Sequence, residues 1–394
     1  MKRQLLHTPE GVRDIYNDEC EKKMLLQDQL YHILRLHGYH PIQTPTFEFF
    51  DIFGREIGTT PSKDLYKFFD REGNTLVLRP DITPSIARCA AKYFGEEELP
   101  IRLCYMGNTF INNSSYQGRL KECTQLGAEL LGDPSVDADA EMISMVISCL
   151  KAAGLKEFQL SIGHADFFRG LMEAAGLLEE QEEELRELIS NKNFFGVEEF
   201  VETLNLEENL KNLFGMLGNL YTGSDELSAA RECAASYPRI LKAIGDLEEL
   251  QKILEVYEVS RYVSFELGTI SNYQYYTGII FAGYTFGSGE AIVKGGRYDR
   301  LLTCFGKDSA SIGFAFVVDQ LMAALQRQKL DVPVERSVEL MVYKPAKRQM
   351  AITAAAARAA GRCVELMLWD ETKQKEDYED YAARSRMINV QFFA

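Results

Sequence analysis

The chain has 394 residues, with 43 Lys and Arg against 59 Asp and Glu and a formal net charge of −16 when histidines are neutral. That length predicts two or three domains with ample core, and the acidic excess argues against a protein that grips nucleic acid by bulk charge. Eight cysteines stand at 20, 89, 104, 123, 149, 233, 304 and 363 with no CxxC pair, so reduced thiols in a cytoplasmic protein are expected, without a disulfide framework or a zinc site.

The segment Met1 to Gly11 is polar and holds Pro9, so no signal peptide is expected there. Residues 19–37 read as an amphipathic helix, because Met24, Leu26, Leu30, Ile33, Leu34 and Leu36 recur near helical spacing and Gly38 is a natural stop. Tyr39 to Phe53, with Pro41, Pro45 and many aromatic residues, reads as extended. Phe68–Asp70 and Thr75–Leu78 flank Arg71-Glu72-Gly73-Asn74, a hairpin signal. Pro84 to Tyr93 starts with a proline suited to a first helical turn. Strands are predicted at 101–110 and 120–131 around a polar loop from Ile111 to Arg119, then a helix from Asp137 to Ala153 ended by Gly154 and a strand from Phe158 to Ile162.

From about 166 to 258 the chain reads as helical throughout, like an insertion between the strands of one sheet. Strands return at Tyr275–Phe281, Ala291–Val293 and Ser311–Val318, the last running into a helix from Asp319. Leu330 to Pro333 reads as a linker. Beyond it, Val338–Tyr343, Arg348–Ala360, Cys363–Leu368, Tyr378–Ser385 and Ile388–Phe393 give β-α-β-α-β. The expected organisation is a domain over 1–330 and a small α/β unit over 331–394, an α+β class and not a Rossmann alternation. No GxGxxG or GxxxxGK[ST] occurs; the glycine-rich stretch Gly283 to Gly289 reads as a hairpin loop. No run of about 18 apolar residues exists, so no membrane span is expected. The five histidines, at 7, 32, 37, 40 and 164, have no carboxylate or cysteine at ligand spacing, so no metal and no other cofactor is expected.

Motifs along the chain are more specific than composition. They are Thr8-Pro9-Glu10-Gly11-Val12-Arg13-Asp14, Gly38-Tyr39-His40-Pro41-Ile42-Gln43-Thr44-Pro45, Leu78-Arg79-Pro80-Asp81-Ile82-Thr83, and Gly118-Arg119 followed by Gln125-Leu126-Gly127-Ala128-Glu129. Tyr275-Tyr276-Thr277-Gly278, Gly295-Gly296-Arg297-Tyr298-Asp299 and Ser311-Ile312-Gly313-Phe314-Ala315 complete the set. In this order they resemble a class II aminoacyl-tRNA synthetase core, specifically histidyl-tRNA synthetase. The resemblance implies an antiparallel sheet core with a helical insertion, and a C-terminal α/β unit similar to the start of an anticodon-binding domain. That unit reads as shortened, and tRNA is not expected as a partner.

The resemblance also implies a histidine pocket. Asp81, Thr83 and Gln125 match the residues that hold the substrate ammonium, Glu129 and Tyr276 those that bond the imidazole nitrogens, and Tyr298 one that lines the pocket. Histidine needs acceptors for its ammonium and partners for two ring nitrogens, so these residue types are apt. Plainer readings stand beside this one. Asp81 and Thr83 could cap the helix at Pro84, Gln125 and Glu129 could sit on a solvated strand face, and Tyr276 and Tyr298 could be core tyrosines. Arg119 and Arg297 read as structural salt-bridge partners.

The departures concern the nucleotide. A synthetase stabilises charge on the α-phosphate with fixed guanidinium groups. The family places an arginine where this chain has Ile111, an acidic residue at Asn113, an arginine at Ser271, and the adenine-stacking arginine of the third motif at Gln320. Lysine would not replace a bidentate guanidinium, and none of these positions offers one. A pocket kept without its ATP machinery is similar to the synthetase-like regulatory subunits of ATP phosphoribosyltransferase. That resemblance implies a non-catalytic protein, self-association as a dimer, a hetero-octamer with the short-form catalytic subunit, and feedback inhibition by histidine in histidine biosynthesis. An active synthetase, and a dimeric scaffold that binds no histidine, remain the competing readings; an amide ligase on the same core also needs the missing arginines.

Overall fold

The computed structural model describes residues 6–54, 60–95, 99–113, 120–221, 224–269, 275–334, 338–356 and 361–394. Two units emerge, Met1–Val332 and Pro333–Ala394. The first opens with α1 (Asn17–Leu36), β1 (His40–Pro41), β2 (Phe47–Phe49), β3 (Lys67–Phe69), β4 (Thr75–Leu78), α2 (Thr83–Tyr93), β5 (Ile101–Phe110), β6 (Glu122–Leu131), α3 (Val136–Ala152) and β7 (Phe158–His164). Helices follow: α4 (Ala165–Ala175), α5 (Glu179–Ser190), α6 (Phe194–Glu202) and α7 (Glu208–Gly215). Then come β8 (Leu220–Tyr221), α8 (Ser224–Cys233) and α9 (Pro238–Val256). The unit closes with β9 (Val263–Glu266), β10 (Ile279–Thr285), β11 (Val293–Arg297), β12 (Ser311–Val317) and α10 (Val318–Arg327).

Nine strands form one sheet in the order β1-β5-β6-β12-β11-β10-β7-β9-β8. All neighbours are antiparallel except β1–β5 and β7–β9. A parallel pair needs a long crossover, and α4 to α9 supply it between β7 and β9. The block is therefore helical as the sequence predicts, with one addition: β8 pairs with β9 at the sheet edge. Two residues are too few to leave a periodic signal. A separate three-stranded sheet, β2-β4-β3, contains the expected hairpin.

One face of the large sheet is covered by helices. On α1, Leu26, Leu30 and Leu34 recur every four residues and are fully buried, the apolar stripe of a core-facing helix. They join Leu126, Ala128 and Leu130 of β6 and the buried residues of α3 in one core. Ser135 starts α3: its hydroxyl accepts from the Ala138 amide at 3.2 Å. Ser135→Ala is expected to cost about 1 kcal/mol in urea unfolding, the usual value of an N-cap.

The extended reading of 39–53 holds only in part, because β1 and β2 are short and Phe50–Phe53 forms a 3-10 turn. Expected strands at 275–281 and 291–293 are displaced to Ile279–Thr285 and Val293–Arg297. Tyr276 and Thr277 are held out of the ladder. The Thr277 amide donates to the Arg297 carbonyl at 2.7 Å and its hydroxyl accepts from the Asp299 amide at 3.0 Å, while the Tyr276 ring rests beside Gly296.

The second unit has three parallel strands in the order β14-β13-β15, where β13 is Val338–Tyr343, β14 Cys363–Leu368 and β15 Asn389–Phe393. Helices α11 (Arg348–Ala355) and α12 (Lys375–Arg384) connect them. The first stops short of the expected Ala360, and residues 357–360 lie outside the described ones. The second starts three residues before Tyr378, where the Gln374 amide donates to Asp377 at 2.8 Å. Among the described residues no helix is long and apolar enough to cross a membrane, and no group of His, Cys, Asp and Glu could hold a metal ion.

Candidate functional site

The other face of the large sheet is the floor of a cavity of about 1260 Å³. Register fixes which residues share that face, since directly paired residues point the same way and alternate residues follow them. Glu129 pairs with Gly313, Gly313 with Gly296, and Gly296 with Ile280. The next row runs Tyr105, Gly127, Ala315, Lys294, Ala282 and Ser161. The floor is thus built mostly of glycine, alanine and serine, with Glu129 and Lys294 rising from it.

Close packing demands the glycines. A Cβ on Gly313 would overlap the Glu129 carboxylate, and one on Gly296 would meet the Tyr276 ring at 2.8 Å. A Cβ on Gly127 would overlap the Phe314 carbonyl and meet the Tyr105 hydroxyl at 2.6 Å.

Asp81 and Thr83 arrive on the segment between β4 and α2. Arg79, 6% exposed, pins it: Nε donates to the Asn108 carbonyl at 2.8 Å, and Nη1 to those of Thr44 at 2.9 Å and Pro45 at 3.2 Å. Gly107 admits the guanidinium, where a Cβ would overlap Nη2. The capping reading of Thr83 fails, because the N-cap of α2 is Ile82, no side chain caps the helix, and the Thr83 hydroxyl instead donates to Glu129 Oε1 at 2.7 Å. Asp81 does accept from a local amide, that of Ile82, at 2.7 Å.

Glu129 is 1% exposed, which removes the solvated-face reading. Its second oxygen accepts from the Tyr298 hydroxyl. Burial pushes the carboxyl up to about 8, against the downward pull of the Tyr298 and Thr83 hydrogen bonds and with further upward pressure from Asp81. Burial also pushes the Asp81 carboxyl up, opposed by the amides of Ile82 and Thr83 and by Gln125. Tyr298 is held well above the ordinary tyrosine value by burial and then by Glu129. Tyr276 and Tyr298 are buried, as core tyrosines would be, yet both line the cavity, and Tyr275 stands edge-on to Tyr298 at 5.9 Å. Gln125 also lines it, with its side-chain oxygen buried and unpartnered. All six predicted pocket residues therefore meet in one cavity.

Arg297 has the structural role expected of it. It points away from the floor and bonds Asp139 at 3.0 Å and the Asp133 and Ser135 carbonyls at 2.9 and 3.0 Å, which anchors the neighbouring Tyr298.

Ile111, Asn113 and Gln320 line the same cavity, so three of the four departures from the nucleotide pattern face one space. Ser271, Gly118 and Arg119 lie outside the described residues. Gln320 donates to Glu290 at 3.4 Å and Asn113 to the Leu120 carbonyl at 3.5 Å. Among the described lining residues, Asp64, Asp81, Glu129, Glu266 and Glu290 are acidic, Lys192 and Lys294 are basic, and none is arginine.

Tyr105, Gly313 and Lys294 were not singled out from the sequence as site residues. Single glycines inside strand patterns signal close backbone approach, but which strand approaches is a property of long-range pairing.

Comparisons with known proteins place the chain in a family. The family model described as histidyl-tRNA synthetase matches residues 11–321. An ATP phosphoribosyltransferase regulatory subunit of Acetivibrio thermocellus is 42% identical over 349 residues, 88% of this chain and 82% of the relative. One from Ruminiclostridium cellulolyticum is 38% identical over 391 residues, 99% of this chain and 93% of the relative. A crystal structure described as an ATP phosphoribosyltransferase regulatory subunit/histidyl-tRNA synthetase from Bacillus halodurans superposes with a TM-score of 0.86 at 32% identity, covering 99% of this chain and 98% of the other. Histidyl-tRNA synthetase from Nostoc sp. PCC 7120 shares the fold, with a TM-score of 0.80 at 18% identity over 97% of this chain and 90% of the other. With the class II synthetase fold, the pocket motifs and this likeness together, the chain belongs to the family of ATP phosphoribosyltransferase regulatory subunits.

Proposed function

We propose that this chain is a non-catalytic regulatory subunit that binds free histidine and, with a short-form ATP phosphoribosyltransferase catalytic subunit, makes the first step of histidine biosynthesis sensitive to its end product. The observation that carries the reading is the contrast within one cavity. A buried Thr83–Glu129–Tyr298 cluster sits at its floor, while the described lining holds five carboxylates, two lysines and no arginine. A triphosphate brought there meets net negative charge without guanidinium clamps. A zwitterionic amino acid meets acceptors for its ammonium and a carboxyl for its ring.

Each pocket residue has a role in this reading. Thr83 donates to Glu129 and keeps lone pairs for the ligand's ammonium, beside Asp81 and the unpartnered Gln125 oxygen. Glu129 and Tyr276 face the imidazole, and Tyr298 holds Glu129 in place. Histidine then favours one quaternary state of a dimer-based hetero-octamer over another, and a coupling of about 1–3 kcal/mol gives a 5–150-fold response.

Co-expression with a short-form catalytic subunit tests this. The two chains are expected to co-purify, phosphoribosyl-ATP formation is expected to rise on adding this chain, and histidine is expected to inhibit only the complex. Histidine-dependent ATP–pyrophosphate exchange by this chain alone would instead establish a working synthetase. Co-purification without any histidine inhibition would leave a scaffold.

A further inference from the structure

Lys294 is the second residue of β11, paired with Ala282 on one side and Ala315 on the other. Both neighbours are too short to cover it, and its side chain is exposed to the cavity. It makes no hydrogen bond or ion pair with any described residue. The other lysine of the lining, Lys192, is within 3.5 Å of Glu266. Lys294 is therefore the one unpaired cation among the described lining residues, in a cavity otherwise rich in carboxylates.

Its position relative to the ligand-binding acids follows from register. Lys294 and Glu129 are separated by β12 alone, about 10 Å across the sheet, and by one step of two residues, about 7 Å along it. Gln125 lies at the equivalent offset in the other direction along β6. A small amino acid whose ring reaches Glu129 and whose ammonium reaches Asp81 and Gln125 leaves one group unmatched, its carboxylate. Without a cation, that group would be desolvated among carboxylates.

We propose that Lys294 is the partner of the ligand's α-carboxylate, so that it confers specificity for a free amino acid over analogues lacking that group. The proposal rests on the histidine-binding reading above and adds the one contact which that reading leaves open. A lysine suffices here because a carboxylate held by a single point charge needs no bidentate fork.

Calorimetry of the full chain with L-histidine and with L-histidinol, which keeps ring and ammonium but has no carboxylate, tests it in wild type, Lys294→Gln and Lys294→Arg. Wild type is expected to prefer histidine. Lys294→Gln is expected to weaken histidine about 10- to 100-fold, the range for losing a charge-assisted bond, with histidinol affinity unchanged; Lys294→Arg is expected to restore most of the preference. Equal melting temperatures of the three proteins exclude unfolding. An unchanged histidine-to-histidinol ratio in Lys294→Gln overturns the assignment of Lys294 while leaving the pocket intact. Binding of neither ligand by wild type overturns the histidine reading itself, and the lysine assignment with it.

Discussion

Gly313→Ala is expected to abolish measurable histidine binding while the chain still folds. The added methyl group would overlap Glu129 Oε2 and approach the Ala128 carbonyl at 2.9 Å. Backbone cannot retreat there, because β12 is clamped between β6 and β11. The carboxylate must therefore leave its place between Thr83 and Tyr298 and swing into the cavity, where the imidazole would sit. Overpacking of this kind costs about 1–3 kcal/mol of stability. Binding suffers more, because the ligand's partner is displaced and its space filled, and a loss of at least about 100-fold in affinity is expected by calorimetry. A variant that bound histidine normally would show that the ring does not approach Glu129.

Glu129 itself gives the second large effect, and it has two readouts. Glu129→Ala leaves Thr83 and Tyr298 without their acceptor and the ligand's ring without a partner. Truncations of one member of a buried polar pair cost about 2–5 kcal/mol in binding, or roughly 30- to several-thousand-fold in affinity. The second readout is pH. The ordinary value of the carboxyl is 4.5 and burial pushes it up to about 8 in the folded chain. Between these values the folded empty protein keeps a proton that the unfolded chain releases. The resulting stability is fully present below about pH 4.5 and is lost as pH rises through about 8. Glu129→Gln cannot titrate. Across this window, wild-type unfolding free energy is therefore expected to fall relative to Glu129→Gln by at most about 1.4 kcal/mol per pH unit. Parallel stability curves for the two proteins would show that Glu129 is already ionised in the empty site.

What the sequence disclosed depended on how local the signal was. The α1 stripe, α3 with its stop at Gly154, the hairpin around Gly73 and the β-α-β-α-β order near the C-terminus all rest on spacing and turn chemistry within a few residues. Gly295 and Gly296 worked the other way. Glycine is depleted from strands, so the predicted strand ends at Val293, yet a Cβ at 295 would overlap the Phe281 ring. The glycines belong to the strand because its neighbours crowd it. Tyr275–Thr277 has strong strand propensity, but Thr277 is tied to Arg297 and Asp299 instead. Pocket residues such as Glu129 were legible through motif order, whereas the burial of Glu129 was not, since alternation fits a solvated face as well as a buried one. Lys294 gave no local sign because its unpaired state depends on Ala282 and Ala315, which reach it only through strand pairing.

The pairing of Glu129 with Gly313 joins positions 184 residues apart, on strands in the middle of the sheet. Nothing of the pocket floor between β6 and β12 can exist until most of the first unit has emerged from the ribosome. Closing so long a loop is entropically costly and slow. A nascent chain halted before β12 would leave the backbone N–H and C=O groups on that side of β6 unpaired, so the floor closes only at the last stage of the unit's assembly.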